Sequence, residues 1–206
     1  SIVIIAGANI YNPNKGVDAL ATSAILLINQ VLSQNTDSLE ICLYNQEFNN
    51  EWDSILLPDG SSIKFRNVYP SNILSVSGFV KTLFSKQRLY YLKEFLHCDF
   101  VFNISAGDGF SDIYGEGVFL SLSQVNRLSR LFHKPYILLP QTYGPFFSPS
   151  SIEFAKKECL SATLLMSRDK DSTKLIKKDF GCTNVLDTID LAFILPYRKL
   201  KQDPGF

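Results

Sequence analysis

The fold is decided by residues 2–32, which read IVIIAGANIYNPNKGVDALATSAILLINQVL. Residues 2–6 form a short apolar run rich in β-branched side chains, which is typical of a strand. After a polar loop through Gly16, apolar residues recur from Val17 to Leu32 with the spacing that places them on one face of an amphipathic helix. This stretch therefore predicts a strand, a loop and a helix in that order.

The same alternation continues along the rest of the chain. Short β-branched or aromatic runs separate longer amphipathic stretches, which is the pattern of strands and helices in a parallel sheet. Further strands are predicted at residues 39–44, 63–68, 99–104, 136–140, 163–167 and 184–187, and helices at residues 78–97, 118–132, 150–160 and 170–178. The segment at residues 52–60 has no clear pattern. We predict an α/β fold, a Rossmann-like open parallel sheet with helices on both faces.

The composition of the 206 residues narrows the class of protein. Hydrophobic residues make up 46% and charged residues 19%, against a typical charged share of about 25%, which excludes a disordered chain. Lys plus Arg and Asp plus Glu number 20 each, so no net field attracts nucleic acid or an acidic membrane. The longest consecutive apolar runs fall far short of the roughly 18 residues of a membrane span. We expect a soluble protein without a nucleic-acid partner or a transmembrane segment.

The cysteines and histidines show no metal or catalytic pattern. The cysteines, at positions 42, 98, 159 and 182, lack CxxC spacing, and the sequence shows no secretory signal. We expect buried free thiols in a reducing, cytoplasmic compartment. The histidines, at positions 97 and 133, fall on predicted helices beside apolar neighbours and are expected to be structural. Because HExxH, DxDxDG and GxSxG motifs are absent from the sequence, we expect neither a metal site nor a Ser-His-Asp triad.

Four polar segments follow apolar runs and are the candidates for function. They are residues 12–16, 105–115, 141–145 and 168–172. In an open α/β sheet the loops after the strands gather at the carboxyl edge, and ligands bind there near the reversal of strand order. The four segments are therefore expected to converge.

Residues 105–115, SAGDGFSDIYG, are the richest of these segments. The three glycines are predicted to let backbone amides approach a ligand, with Asp108, Asp112 and Tyr114 as proton carriers or hydroxyl-binding groups. The segment matches neither the Walker A loop nor the dinucleotide fingerprint. The alternative is that the glycines only form turns and that Asp112 caps the helix that follows.

Arg168 ends a predicted apolar strand, where a guanidinium can hold a phosphate or carboxylate through two parallel hydrogen bonds. The alternative is a structural ion pair with Asp169 or Asp190, with Asp169 as a helix N-cap. In residues 141–145, QTYGP, Gly144 is predicted to supply an unusual backbone angle and Pro145 to constrain the next residue.

Five segments in order resemble the polysaccharide pyruvyl transferase family. They read NKG at residues 14–16, SAGDGFSDIYG at 105–115, KPYILLPQTYGPF at 134–146, SRDKDS at 167–172 and DTIDLAF at 187–193. The resemblance runs from Ala6 to Phe193, with little contribution from residues 42–96. The chain departs from the family at Ser105 and Ala106, where relatives often carry a further glycine, so the backbone path is in question there.

The resemblance implies an enzyme that transfers the pyruvyl group of phosphoenolpyruvate to two hydroxyls of a sugar, in a glycan or glycan-lipid, and leaves a cyclic ketal. Phosphoenolpyruvate is the donor substrate, and no cofactor or metal is implied. The fold would resemble one lobe of a GT-B type glycosyltransferase. Residues 1–197 are expected to be the amino-terminal lobe and residues 198–206 the start of a linker or tail. The second lobe, which in the family carries further Arg and His residues for the donor, is expected to be absent from this chain, leaving it inactive by itself.

Site residues follow from position, chemistry and the resemblance. Asp108 and Arg168 are predicted to be catalytic. The residues predicted to bind substrate are Asn14, Gly16, Gly107, Gly109, Asp112, Tyr114, Gln141, Thr142, Gly144, Asp169 and Asp190. Two alternative functions stay open: a GT-B glycosyltransferase lobe that uses a nucleotide sugar, and a carbohydrate-binding domain without catalysis.

Overall fold

A single sheet organises the molecule. The computed structural model describes residues 1–44, 52–57, 59–68, 80–82 and 84–195, and the predicted linker at residues 198–206 lies outside them. Within this part, eight strands form the sheet. In chain order they are β1 (Ile2–Ala6), β2 (Glu40–Tyr44), β3 (Trp52–Leu56), β4 (Ser62–Val68), β5 (Phe100–Asn103), β6 (Tyr136–Gln141), β7 (Leu164–Ser167) and β8 (Val185–Asp187).

The strand order defines where a ligand can bind. It is β3-β4-β2-β1-β5-β6-β7-β8, and all neighbouring strands are parallel except β3 and β4. From β1 the chain moves to one side and then returns to place β5 on the other side of β1. This reversal opens a crevice between the carboxyl ends of β1 and β5. The order confirms the predicted Rossmann-like sheet.

Helices cover both faces of the sheet, as predicted. One face carries α1 (Lys15–Leu32) and a 3₁₀ turn (Leu191–Ile194), which share a hydrophobic cluster with Val3 and Ile5 of β1. The opposite face holds Ile4 and Ala6 in a second cluster. The helices on that face are α2 (Lys86–His97), α3 (Glu116–Leu122), α4 (Gln124–Leu131), α5 (Pro149–Ser161) and α6 (Lys170–Lys174), which continues into a π-helical turn (Leu175–Asp179).

Helix α1 is long and apolar enough, by length and composition alone, to cross a membrane, with a mean hydropathy of 1.2. The expectation of no transmembrane segment was based on consecutive apolar runs, which do not mark this helix. In the structure its apolar face packs on the sheet, with Ala21, Ala24 and Ile25 fully buried. One third of the helix, 33% of its residues, is buried inside the structure.

Three local features differ from the sequence predictions. Strand β3 was not predicted, because it pairs only with β4 at the sheet edge and its side chains alternate between exposed and half-buried rather than polar and buried. The helix predicted at residues 118–132 is two helices that break at Ser123. His133 lies beyond the end of α4 with a φ of 53° rather than on a helix. Of the helix predicted at residues 78–97, residues 78, 79 and 83 lie outside the described residues.

The four cysteines are buried and free, which confirms that part of the prediction. Burial, with a smaller contribution from the nearby Glu94 carboxylate, raises the pKa of the Cys42 thiol to about 12. Burial likewise raises the pKa of Cys98 to about 11, although Lys134 opposes the shift. These thiols therefore stay protonated at neutral pH and are poor nucleophiles.

Helix α5 carries a buried carboxyl group, that of Glu158. Glu158 has no exposed surface, and its Oε1 lies 2.9 Å from Nη2 of Arg130 on α4, a side chain that is 28% exposed. Burial raises the pKa of Glu158 to about 7, and the positive charge of Arg130 only partly opposes this. The folded protein therefore binds the Glu158 proton more tightly than the unfolded chain does.

We expect the free energy of unfolding to fall as the pH rises from about 4.5 to about 7, because Glu158 must then ionise in the core. The loss is on the order of 2 kcal/mol, less than the full shift implies because solvent reaches Arg130. Glu158→Gln should flatten this dependence in urea unfolding at a series of pH values. Glu153→Gln, at an exposed site on the same helix, is the matched control. Equal slopes for wild type and Glu158→Gln would contradict the assignment.

Candidate functional site

The loops after β5 and β6 are joined at the carboxyl edge of the sheet. Thr142 donates its backbone N–H to the carbonyl oxygen of Gly107 at 2.9 Å, and Gly144 donates to that of Phe110 at 2.9 Å. The Ser111 hydroxyl donates to the Pro145 carbonyl at 2.6 Å. Two of the four predicted segments therefore form one structural unit. The predicted unusual backbone angle is found at Gly144, whose φ is 77°.

Asp112 fixes the end of this unit. Its carboxylate accepts hydrogen bonds from the backbone N–H groups of Phe147 at 3.0 Å and Ser148 at 2.9 Å, and Ser148 is the N-cap of α5. The alternative that Asp112 caps the next helix is wrong, because α3 begins after Gly115 without a side-chain cap. Desolvation alone would raise the pKa of Asp112, but these hydrogen bonds outweigh it and lower the pKa.

Asp108 and Tyr114 form an exposed pair on the same loop. The Tyr114 hydroxyl donates to Oδ2 of Asp108 at 2.7 Å. This hydrogen bond, together with the charge of Asp108, raises the pKa of the Tyr114 phenol. Since both side chains face solvent, the pair is open to a ligand.

The three glycines of this loop use their own backbone N–H groups in internal hydrogen bonds. The backbone N–H groups of Gly107, Gly109 and Gly115 all donate within the loop. Their acceptors are, in order, the carbonyl oxygens of Ile104, Ser105 and Asp112, at 2.7, 2.8 and 2.8 Å. These three N–H groups are therefore not available to a phosphate.

Close packing explains why two of these positions are glycine. A Cβ atom on Gly107 would lie 2.5 Å from Cδ1 of Leu20 on α1. A Cβ atom on Gly109 would lie 2.4 Å from Cδ1 of Leu122 on α3. The glycines therefore let helices on both faces of the sheet approach the loop.

The loop begins with a left-handed turn. Ser105, Ala106 and Gly107 have φ values of 45°, 54° and 92°. The first two lack the freedom of glycine, so the turn is strained by roughly 1–2 kcal/mol per residue. Ala106 thus follows a backbone path suited to glycine, at the position where the chain departs from the family pattern.

Asn103, which the sequence analysis missed, holds this turn. Its Oδ1 accepts from the Ser105 N–H at 2.9 Å, and its Nδ2 donates to the Leu122 carbonyl at 3.1 Å and to Oδ1 of Asn126 at 3.0 Å. The side chain is fully buried, with all these partners in the core. A polar residue inside an otherwise apolar predicted strand was the available signal.

Arg168 reaches the joined loops from the end of β7. Its Nε donates to Oγ1 of Thr142 at 3.1 Å and its Nη1 donates to Oδ2 of Asp190 at 2.6 Å. The ion pair anticipated with Asp190 is therefore present, and the pair with Asp169 is not. The side chain is 22% exposed, and its Nη2 donates to no described residue. Both groups that orient the guanidinium leave this nitrogen available.

Several predicted binding residues occupy helix starts. Asp169 is the N-cap of α6 and accepts from the N–H and the hydroxyl of Ser172, both at 2.8 Å. Asn14 caps α1 by accepting from the Gly16 N–H at 3.0 Å. Asp190 caps the 3₁₀ turn besides holding Arg168.

Gln141, the last residue of β6, has no exposed surface. Its side chain therefore cannot contact a ligand from the surface in this conformation. A direct binding role for Gln141 would need the surrounding loop to open.

A cavity of about 300 Å³ lies at the reversal of strand order. It is bounded by the loop after β1, the end of β2, the left-handed turn, and the junction of α3 and α4. Its lining includes Gly7, Asn9, Asn12, Tyr44, Ala106 and Gln124. Asp108, Tyr114 and Arg168 do not line it, although Arg168 lies against Gly107, the neighbour of Ala106. Most of this lining was not predictable from the sequence, because it comes from separate segments of the chain.

One group of three potential metal ligands occurs among the described residues, formed by Glu40, Cys42 and Glu94. Glu40 is already paired with Arg66 at 2.7 Å. The Cys42 thiol, with its raised pKa, would have to lose a proton to bind a metal. We expect this group to bind no metal.

An open, mostly parallel sheet with a cavity at its reversal point and polar loops around it is the arrangement of a doubly wound α/β ligand-binding domain. A family model described as polysaccharide pyruvyl transferase matches residues 14–205, and the chain belongs to this family. The chain is therefore a member of an enzyme family that transfers pyruvyl groups in glycan biosynthesis. A search of curated proteins finds no significant match.

Proposed function

We propose that the protein transfers the pyruvyl group of phosphoenolpyruvate to two hydroxyls of one sugar in a glycan or glycan-lipid. The reaction begins with protonation of the donor's methylene carbon, which makes its central carbon electrophilic. One sugar hydroxyl adds to that carbon and loses its proton. Phosphate then leaves with the bonding electrons of its C–O bond, and the second hydroxyl adds to the same carbon and loses its proton, which closes the ketal. The products are the pyruvylated sugar and inorganic phosphate.

Besides the family match, one observation carries this proposal. The Nη2 nitrogen of Arg168 donates to no described residue, and it lies at the carboxyl edge of the sheet. Asp190 and Thr142 hold the guanidinium in one orientation, while Nη2 keeps its hydrogen-bond donors. A phosphate or carboxylate of phosphoenolpyruvate is the ligand such a group prefers. Arg168 would bind the donor and stabilise the charge on the departing phosphate.

The Asp108–Tyr114 pair supplies the acceptor side of the proposal. A carboxylate can accept a hydrogen bond from a sugar hydroxyl and then its proton, and the bonded phenol keeps that carboxylate oriented. This role is compatible with the exposure of both side chains. No step requires a metal or a redox cofactor.

The alternative glycosyltransferase reaction is less well supported. A nucleotide sugar carries a diphosphate, and the loop that most resembles a phosphate cradle uses its glycine N–H groups internally. A binding domain without catalysis would use the same cavity and leave Arg168 without a donor. The four buried, reduced thiols support a cytoplasmic setting for either enzyme.

The test is an assay of the full-length protein with phosphoenolpyruvate and glycan acceptors. We expect phosphate release coupled to a ketal carbon signal in the NMR spectrum of the acceptor, and most of the activity should survive dialysis against a strong chelator. Turnover of a nucleotide sugar without turnover of phosphoenolpyruvate would favour the glycosyltransferase. Acceptor binding without either turnover would favour the binding domain.

A further inference from the structure

The cavity at the reversal of strand order differs in chemistry from the loops around it. Its residues from the described part of the chain include no Asp, Glu, Lys, Arg or His. Asp108 directly follows the cavity-lining turn in sequence and Arg168 lies against Gly107 of that turn, yet neither lines the cavity. A charged ligand group placed inside would lose its hydration without gaining an opposite charge, which is costly. Within the part of the chain that the structure describes, the lining therefore favours an uncharged ligand.

The polar groups of the cavity are suited to hydroxyls. The side chains of Asn9, Ser121 and Gln124 form no hydrogen bond with a described residue. Asn12 uses only its Oδ1, which accepts from the Asn14 N–H at 2.9 Å, so its amide N–H₂ stays available. Amides both donate and accept, as a ligand hydroxyl does. Several such groups around one cavity match a ligand that carries several hydroxyls.

The remaining wall is apolar and aromatic. Tyr44 and Tyr91 are buried side by side with ring centroids 4.6 Å apart, and the Tyr44 hydroxyl donates to the Tyr91 carbonyl. Val17, Leu122 and Val125 add apolar surface. A sugar ring has this same division, with hydroxyls at its edge and C–H groups on its faces. A lining that combines amides with apolar surface therefore offers contacts to both surfaces of one ring.

The size of the cavity limits the ligand. At about 300 Å³ it stands at the lower end of the range for small-molecule pockets, about 300–1,000 Å³. A space of this volume accommodates one monosaccharide ring, whereas a nucleotide sugar would extend out of its open side.

We propose that this cavity binds one uncharged sugar ring of the acceptor, with Asn9 and Gln124 as its specificity-determining residues. The identification of this sugar as the acceptor rests on the proposed function. It excludes uronic acids and sugar phosphates from the cavity, and it puts the acceptor beside Gly107, the residue against which Arg168 packs.

The experiment measures binding of neutral methyl hexosides to the full-length protein by titration calorimetry or saturation-transfer NMR. A neutral hexoside is expected to bind at least about tenfold more tightly than its 6-phosphate or its uronic acid. Gln124→Leu and, separately, Asn9→Leu should each weaken binding about tenfold by removing an amide of similar size. Gln30→Leu, an exposed glutamine near the other end of α1, is the matched control and should change nothing.

Two results would overturn the assignment: equal or tighter binding of the charged sugars, or unchanged binding in both cavity variants. These outcomes are separable from the proposed function. If the protein transfers pyruvyl groups but neither substitution changes sugar binding, the cavity assignment is wrong and the proposed reaction stands. Sugar binding that depends on Gln124 and Asn9, without pyruvyl transfer, would keep the cavity and reject the reaction.

Discussion

Replacing Gly7 with alanine is expected to lower the free energy of unfolding by about 2–4 kcal/mol. The residue has a φ of +68°, and a Cβ atom there would lie 2.5 Å from the Ser105 nitrogen and 2.7 Å from Oδ1 of Asn103. Both contacts belong to the support of the left-handed turn, so the clash must displace backbone. In a protein of this size the melting temperature should fall by roughly 5–15 °C.

Gly117→Ala is the matched control for this substitution. Gly117 lies within α3, and nothing lies within 4 Å of an added Cβ atom. Removing a glycine from a helix should raise the free energy of unfolding by roughly 0.5–1 kcal/mol. Thermal and urea unfolding of both variants check the pair. A Gly7→Ala protein as stable as wild type would show that β1 and the turn can separate without cost.

Arg168→Lys should lower kcat/KM for phosphoenolpyruvate by roughly 10- to 150-fold. The lysine keeps the charge but loses the planar guanidinium, so about 1.5–3 kcal/mol of transition-state stabilisation is lost. The measurement is steady-state kinetics for donor and acceptor in the full-length protein, together with the melting temperature. Arg127→Lys, at an exposed position on α4, is the control and should leave both unchanged.

Asp190→Asn separates the two roles that the geometry allows for Arg168. It removes the ion pair measured at 2.6 Å but leaves the guanidinium in place. If Arg168 binds the donor, Asp190→Asn should retain much more activity than Arg168→Lys, even when both variants lose the same amount of stability. If Arg168→Lys is destabilised but its folded fraction has normal donor kinetics, Arg168 is structural and its proposed role in the reaction is wrong.

The strands and helices that run through the core were predictable because their signals are local. The continuous apolar run of β1 and the helical spacing of the apolar residues in α1 mark these elements, and the observed bounds lie close to the predicted ones. Strand β3 was missed for the opposite reason. It is an edge strand with little buried surface, so its alternation is weak and its pairing with β4 decides its conformation.

The candidate site was predictable only as a place. The rule that loops meet at the carboxyl edge brought residues 105–115, 141–145 and Arg168 together, as observed. The use of each group was not predictable. Asp112 binds the start of a helix 35 residues away, a target that no local cap pattern indicates. The lining of the cavity combines residues from both sides of β1, which only the reversal of strand order brings together.

By itself the sequence determined the α/β class, the free thiols and the family, since hydrophobic period, residue type and motif order are properties of neighbouring residues. The tertiary structure alone decided which polar groups are still available to a ligand. The N–H of Gly107 donates to the Ile104 carbonyl oxygen, whereas Asp190 accepts from Nη1 of Arg168 and not from its Nη2. A hydrogen bond depends on two atoms meeting within about 3 Å, and for residues far apart in the chain that distance is set by packing.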